Sequence, residues 1–254
     1  MRLALLSDIH ANRQALDACL AHAQAAGAER LAFLGDLVGY GGDPAYVVQR
    51  VMELAAQGAQ VVKGNHDVYA IEATGEGKTL GQAGVLWTQQ QLSVEQRRFL
   101  AELPLTLHQP PLLLVHASAA APDRWHYVET PQLAALSLDA ACEPPIGGPD
   151  VHYVFGGHVH RQTLYYRGGT GKLMPFTPTA GVPIPVPRHR RWLATVGSVG
   201  QPRDGRGDAM YALFDDAAQQ LTFHRVPYDA AAAAQAIRAT PMPPFFADRL
   251  ELGR

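Results

Sequence analysis

Carboxylates and imidazoles recur along this chain, each time directly after a short apolar segment. Eleven histidines are present, and five of them fall within these polar clusters. Carboxylate and imidazole donors together suit Mn, Fe, Zn, Ni or Co, whereas an all-oxygen set would favour Mg or Ca. The seven candidate metal ligands are Asp8, His10, Asp36, Asn65, His116, His158 and His160.

Seven ligands are too many for a single ion of this kind. Two divalent ions that share one bridging carboxylate would use the whole set. The sequence therefore predicts a binuclear site that holds two divalent metal ions, with His66 beside it.

The elements that must position these side chains are visible in the first third of the chain. Residues 2–7, 31–34 and 60–63 have the pattern of short buried strands. Helices are predicted after Asn12, a capping residue, and at Asp43, which is followed by proline at the first helical position. Strand–helix–strand units with connections of this length place neighbouring strands parallel.

Parallel strands bring the loops after them to one edge of a sheet, and binding sites form at that edge. Asp36 follows Asp8 by 28 residues, and Asn65 follows Asp36 by 29. We expect these near-equal connections to place the three side chains next to one another. His116 and His158 follow later apolar segments and are expected at the same edge.

Composition and charge exclude several classes of protein. The chain has 254 residues, of which 47% are hydrophobic and 17% charged, so residues 1–254 are expected to fold as a single α/β domain. The formal net charge of -2 gives no electrostatic basis for binding nucleic acid or an anionic membrane. No apolar run approaches the roughly 18 residues of a membrane span. Because Cys19 and Cys142 are too few for a disulfide framework, we expect reduced thiols and a cytoplasmic protein.

The ordered motifs resemble those of the calcineurin-like metallophosphoesterase superfamily, and the resemblance covers the whole chain. Residues 35–41, 115–118 and 197–205 look like its small prokaryotic phosphodiesterase branch. The resemblance implies a four-layer α/β/β/α sandwich with two mixed β-sheets. The motifs that carry it are Asp8-x-His10, Gly35-Asp36, Gly64-Asn65-His66-Asp67, His116 and Gly157-His158-x-His160.

The resemblance also implies how the ligands divide between the ions. Asp36 would bridge the two ions, with Asp8, His10 and His160 on one and Asn65, His116 and His158 on the other. The implied activity is that of a metal-dependent phosphodiesterase acting on a small phosphate ester, in which a metal-bridging hydroxide attacks phosphorus in line.

Two further residues are predicted to take part in catalysis. His66 is the candidate general acid that protonates the leaving alkoxide. Asp67 is adjacent in sequence, and we expect its carboxylate to orient the imidazole and stabilise its charged form.

The chain departs from some members of this superfamily. Phosphoprotein and symmetrical dinucleotide phosphatases have Asp-Arg-Gly where this chain has residues 39–41, and Glu where it has Asp67. The branch often has Asn-Pro where this chain has residues 195–196. A phosphomonoesterase or nucleotide pyrophosphatase using the same site remains an alternative. A non-catalytic scaffold of the same fold is a second alternative, although the presence of His66 and all seven ligands favours catalysis.

Residues 168–190 are predicted to form a long loop, because they are rich in Gly, Pro and Thr and show no periodicity. The loop connects the strand after His160 to the strand that enters Gly197, and Arg188, Arg190 and Arg191 lie at its end. We expect it to flank the mouth of the site and to present these cations to an anionic substrate.

Overall fold

The computed structural model describes residues 1–72, 80–167 and 171–253, and of residues 80 and 81 the backbone alone. Within these residues the chain forms two mixed six-stranded β-sheets. The strands, in chain order, are β1 (Arg2–Leu6), β2 (Arg30–Phe33), β3 (Gln60–Val61), β4 (Thr106–Gln109), β5 (Leu112–Val115), β6 (Tyr153–Gly156), β7 (Gln162–Arg167), β8 (Leu173–Phe176), β9 (Pro183–Pro185), β10 (Trp192–Val196), β11 (Ala209–Asp215) and β12 (Gln220–Val226).

Eight α-helices accompany the sheets within the same residues. They are α1 (Arg13–Ala25), α2 (Pro44–Ala56), α3 (Asn65–Glu72), α4 (Leu80–Gln91), α5 (Val94–Glu102), α6 (Pro131–Ala141), α7 (Ala230–Arg238) and α8 (Phe245–Leu252). None of the described helices is long and apolar enough to cross a membrane.

The first sheet has the strand order β3-β2-β1-β11-β12-β9, and the second has the order β4-β5-β6-β10-β7-β8. The pairs β1–β2 and β2–β3 are parallel, as the strand–helix pattern predicts. The pairs β5–β6 and β6–β10 are also parallel, while β11 joins β1 in the antiparallel sense. The carboxyl ends of β1, β2 and β3 therefore lie together at one edge of the first sheet.

The alternating direction of side chains along each strand explains why helices and sheets pack in layers. Leu3 and Leu5 on β1 pack between the two sheets, whereas Ala4 and Leu6 point to the helices on the outer face. In β5, Leu114 points between the sheets and Leu113 packs toward α6. Successive side chains of a strand point to opposite faces, so each central strand contributes to both an inter-sheet core and a sheet–helix core. The predicted four-layer α/β/β/α sandwich is confirmed.

Part of the segment predicted to be a loop at residues 168–190 is β-structure, and residues 168–170 lie outside the described residues. Strand β8 pairs with β7 at the edge of one sheet, and β9 pairs with β12 at the edge of the other. Pro183 and Pro185 lack an N–H group, and an edge strand tolerates proline because one side of it needs no ladder bonds. Ile184 packs toward the inter-sheet core. The prediction of a structureless loop was therefore wrong.

The predicted position of the basic cluster was also wrong. Arg188 forms an ion pair with Asp216, whose backbone N–H donates to the carbonyl of Met1. These contacts place Arg188 at the beginning of β1, whereas the candidate ligands follow the end of that strand. Arg190 lies over the ring of Tyr166 instead of facing the candidate site. The third member, Arg191, donates a hydrogen bond to the backbone carbonyl of Pro149.

Candidate metal centre

The candidate ligands follow the carboxyl ends of five strands and meet at one place. Asp8 and His10 come after β1, and Asp36 comes after β2. Asn65 begins α3 after the short turn that follows β3, and sequence analysis did not predict this helix. The remaining ligands follow β5 and β6. All seven side chains predicted from the sequence are buried, and they are Asp8, His10, Asp36, Asn65, His116, His158 and His160.

Two groups of three side chains have ligand atoms that all lie within 4.8 Å of one another. One group is Asp8, His10 and His160, and the other is Asp36, His116 and His158. Oδ2 of Asp36 lies 3.8 Å from Nε2 of His10 and 3.4 Å from Nε2 of His116. Asp36 is therefore within reach of both groups, which is the placement expected of a bridging carboxylate.

Asn65 belongs to the second group by distance. Its Oδ1 atom lies 3.2 Å from Nε2 of His116, and Nδ1 of His158 lies 3.1 Å from the same nitrogen. These three side chains converge on one point beside Asp36, and each would be uncharged as a metal ligand. A neutral donor set of this kind leaves most of the charge of a bound cation uncompensated.

Backbone carbonyls fix the orientation of three of the imidazoles. Nδ1 of His10 lies 3.1 Å from the carbonyl of Val38, and Nδ1 of His116 lies 2.7 Å from that of Leu34. Nδ1 of His160 lies 2.6 Å from the carbonyl of Gln201. Since a carbonyl only accepts, each Nδ1 must donate a proton. In the neutral rings the Nε2 lone pairs then point to the centre, as is usual for metal-ligating histidines.

The contacts between these atoms fit a site for cations. Nε2 of His160 lies 3.1 Å from Oδ1 of Asp8 and also 3.1 Å from Nε2 of His10. In a neutral ring whose Nδ1 donates, Nε2 carries a lone pair and can only accept. The two Nε2 atoms and Oδ1 of Asp8 would then be three hydrogen-bond acceptors in close contact, and such acceptors repel one another. Oδ1 of Asp8 is buried and has no hydrogen-bond partner within the described residues. A cation among these atoms removes both problems, so the residues present fit divalent ions.

Five of the seven candidate ligands have a left-handed backbone. The φ angles are 55° for Asp8, 49° for His10, 53° for Asp36, 65° for His158 and 58° for His160. Left-handed residues other than glycine are uncommon, and each costs about 1–2 kcal/mol. Strain of this kind persists where the surrounding structure over-determines it, and it is common at functional sites. The left-handed bends also turn His158 and His160 inward, although an extended segment would point them to opposite faces.

Two glycines allow the loops to approach closely. A Cβ atom on Gly157 would clash with the side chains of Ser7 and Asp8, and one on Gly64 would clash with Asp36. The close approach lets the backbone N–H of His158 donate to Oδ2 of Asp8 at 2.9 Å. Glycine at these positions is therefore part of how the ligands come together.

Mutual interactions set the pKa values of the buried groups. Although burial raises the pKa of a carboxyl group, His160 holds the pKa of Asp8 below its usual value. In the same way, His116 holds the pKa of Asp36 well below its usual value. Burial lowers the pKa of His158 to about 4. For His116 the opposing attraction of Asp36 outweighs burial and raises the pKa to about 9.

His66 lies beside residues of both ligand groups. Its backbone N–H donates to Oδ1 of Asp36 at 2.8 Å, and its ring centroid lies 5.1 Å from that of His10. The imidazole packs against Gly39 and lies 4.4 Å from the ring of Tyr40. Burial lowers its pKa, and the attraction of Asp36 acts in the opposite direction.

The predicted role of Asp67 in orienting His66 is not what the structure shows. Within the described residues, the hydrogen bonds to its carboxylate come from the backbone and not from the imidazole. Burial raises the pKa of Asp67 to about 7, and repulsion from Asp36 acts in the same direction. Asp67 thus holds together the loops after β2 and β3. The four donors are the N–H groups of Gly64, Asp36 and Leu37, each at 2.9 Å, and of Val38 at 3.4 Å.

Sequence reasoning missed several aromatic residues at the centre. The ring of Tyr127 stacks on His158 at 4.0 Å, and the ring of Tyr40 lies 4.7 Å from His10. Tyr40 is part of the 35–41 motif, which offered a signal, whereas nothing in the local pattern singles out Tyr127.

Arg203 donates two hydrogen bonds to the side chain of Gln201, and its guanidinium lies 5.8 Å from the ring of Tyr40.

Comparisons with known proteins agree with this geometry. Residues 1–218 match the family model of the calcineurin-like phosphoesterase superfamily domain. The chain is 30% identical to the uncharacterized protein MJ0912 of Methanocaldococcus jannaschii, with 99% of this chain and 98% of that protein covered. A metallophosphoesterase from Sphaerobacter thermophilus has a similar structure, with a TM-score of 0.87, 33% identity and full coverage of both chains.

A second solved structure shows the same fold. The protein PH1004 from Pyrococcus horikoshii has a TM-score of 0.77 and 19% identity, with 100% of this chain and 98% of that chain covered. The sandwich fold and the two candidate metal clusters are those of a metallophosphoesterase-family hydrolase. The chain belongs to the calcineurin-like phosphoesterase superfamily.

Proposed function

We propose that this chain is a binuclear metal-dependent phosphodiesterase that hydrolyses a small phosphate ester. The position of Asp36 between the two ligand groups is the observation that carries this proposal. In this assignment Asp8, His10 and His160 hold one ion, and Asn65, His116 and His158 hold the other. We further propose that residues 1–254 form one such domain, because β12 and α7 complete the sheet and the helix layer that begin with β1 and α1.

The charge of the centre favours an anionic ester. Two divalent ions bring about four positive charges, and the carboxylates of Asp8 and Asp36 remove two of them because the Asn and His ligands are neutral. When bound, ions of this type supply positive charge for the phosphate and lower the pKa of a shared water, so that hydroxide is available for in-line attack on phosphorus. Mn, Fe, Zn, Ni and Co all suit this donor set.

The protein's own groups would then complete the reaction. His66 is close to His10 and Asp36, and its imidazole would donate a proton to the leaving oxygen. Asp67 would act as a positioning residue, because its hydrogen bonds hold the backbone of Asp36 and of the turn before Asn65.

A substrate panel tests the proposal. Metal-free protein is reloaded with Mn, Fe, Zn, Ni or Co, and hydrolysis of bis(p-nitrophenyl) phosphate is compared with that of p-nitrophenyl phosphate. We expect the diester to give the higher kcat/KM. His116→Ala should abolish hydrolysis of the diester. His189→Ala serves as the matched control, because His189 is exposed and lies outside the site. A higher kcat/KM for the monoester would favour the phosphomonoesterase alternative, and the absence of hydrolysis with every metal would favour the scaffold.

A further inference from the structure

A cavity of about 490 Å³ opens beside His66, outside the two ligand groups. Its volume is within the roughly 300–1,000 Å³ that is usual for small-molecule sites. Met242 and Phe246 are buried and form one wall, while Tyr69 is 44% exposed. Besides His66, the residues that line it include Tyr40, Tyr69, Val85, Leu86, Met242 and Phe246.

Two rings connect this cavity to the candidate metal centre. His66 and Tyr40 both line the cavity, and both also contact the ring of His10, with centroids at 5.1 and 4.7 Å. The cavity therefore begins one ring away from a candidate ligand. A group that occupied it would lie against the imidazole that is proposed to protonate the leaving oxygen.

We propose that this cavity binds the leaving alcohol of the ester and that its lining selects an uncharged aromatic one. The proposal rests on the phosphodiesterase function given above. In the reaction a water oxygen bonds to phosphorus, and the bond between phosphorus and the alcohol oxygen breaks with its electron pair on that oxygen. The proton that His66 donates then completes the free alcohol, which remains in the cavity until it is released.

The chemistry of the lining supports this class of ligand. Within the described residues the lining contains one carboxylate, Glu72, and neither lysine nor arginine. An anionic leaving group, such as one that carries further phosphates, would be repelled by Glu72, and the described lining offers it neither lysine nor arginine. Tyr40, Tyr69 and Phe246 offer ring faces and edges against which a flat apolar group can pack.

Filling the cavity tests the inference. Val85 lies on α4 and lines the cavity, so Val85→Phe should reduce the space available to a ring. Val94→Phe is the matched control, because Val94 is 67% exposed and lies on α5 outside the lining. The two probes are methyl p-nitrophenyl phosphate, with an aromatic leaving group, and methyl 2,2,2-trifluoroethyl phosphate, with a small aliphatic one.

We expect Val85→Phe to lower kcat/KM for the aryl ester by roughly tenfold or more, because a mismatch of even one methylene in an apolar pocket costs about that much. The trifluoroethyl ester, measured by ¹⁹F NMR after quenching with a chelator, should change less than about twofold. Val94→Phe should change neither ester. An equal decrease in kcat/KM of Val85→Phe for the two esters, or no decrease for either, would overturn the proposal.

A second variant and a binding measurement keep the two proposals separate. If Val85→Phe does not fold, Tyr69→Ala decides, because removal of this ring should raise KM for the aryl ester more than it lowers kcat. Benzyl alcohol is titrated calorimetrically into metal-loaded wild-type protein, and binding that is weakened in the cavity variant supports the cavity. If neither ester is hydrolysed but benzyl alcohol binds in this way, the hydrolytic function fails while the aromatic site stands. If the esters are hydrolysed but benzyl alcohol does not bind, the aromatic site fails alone.

Discussion

Replacement of Asp67 by asparagine distinguishes a role in holding the loops from a role in orienting His66. The carboxylate accepts four backbone hydrogen bonds, two on each oxygen. Asparagine keeps one acceptor oxygen and places an NH₂ group where the other was, so two buried N–H groups lose their partner. A buried donor without a partner costs roughly 1–3 kcal/mol, so the two lost partners would cost about 2–6 kcal/mol. Because asparagine also removes a charge that burial and Asp36 disfavour, Asp67→Asn should lower the free energy of unfolding by less than this sum.

Urea denaturation of the metal-free protein, followed by circular dichroism, measures this change. The pH should be 8, above the pKa of about 7 for Asp67, so that the wild-type carboxylate is charged. Asp139→Asn is the control, because Asp139 forms a surface ion pair with Arg167 and its loss should cost less than about 1 kcal/mol. Metal affinity should also fall in Asp67→Asn, because the backbone of Asp36 loses its support. Wild-type stability and metal affinity combined with a reduced kcat would refute this reasoning and restore the role in orienting His66.

Three further predictions concern the ligands, the acid and a histidine outside the site. Asp36→Asn should weaken binding of both ions, while His10→Ala should mainly weaken binding of one. Elemental analysis after reconstitution measures the ions bound per chain, and equal metal loss in the two variants would show that Asp36 does not bridge. His66→Ala should keep the metal content but lower kcat by roughly 10²–10⁴-fold for esters with poor leaving groups. An activated aryl diester should suffer less, and equal losses on both types would remove His66 from the role of acid. Burial lowers the pKa of His224 to about 4, so the unfolded state binds more protons between about pH 4 and 6.5, and stability should fall as the pH falls through this range. Urea denaturation at pH 7.5 and at pH 5.5 measures the free energy of unfolding that is lost between them. With allowance for partial solvent screening, this loss should be about 1 kcal/mol smaller in His224→Phe than in wild type, and an identical loss in the two proteins would contradict this cause.

The sequence allowed the parallel strands β1, β2 and β3 and the candidate ligands that follow them to be predicted, because both depend on local pattern. The apolar run of β1 predicts a buried strand, and its alternate side chains pack into the two cores on either side of it. Asn12 is a residue type that caps helices, and its side chain accepts from the N–H of Ala15. The crossover lengths then place Asp8, Asp36 and Asn65 at one edge.

Other features depend on tertiary contacts and left no local signal. The left-handed backbone of Asp8 and Asp36 is imposed by loops that pack against each other, so no spacing rule predicts it. Asp67 contacts the loop after β2, about 30 residues away in sequence, and adjacency to His66 suggested the wrong partner. The prolines of β9 favour a loop by local pattern alone, although an edge position accommodates them.

The dependence of hydrolysis on the number of bound ions tests the central claim most directly. Metal-free protein is titrated with Mn²⁺, and the rate of bis(p-nitrophenyl) phosphate hydrolysis is plotted against the ions bound per chain. If Asp36 joins two ion sites into one centre, the rate should stay low up to about one ion and reach its maximum at about two. A rate that persists without metal, or that is already maximal at one bound ion, would contradict the two-ion account.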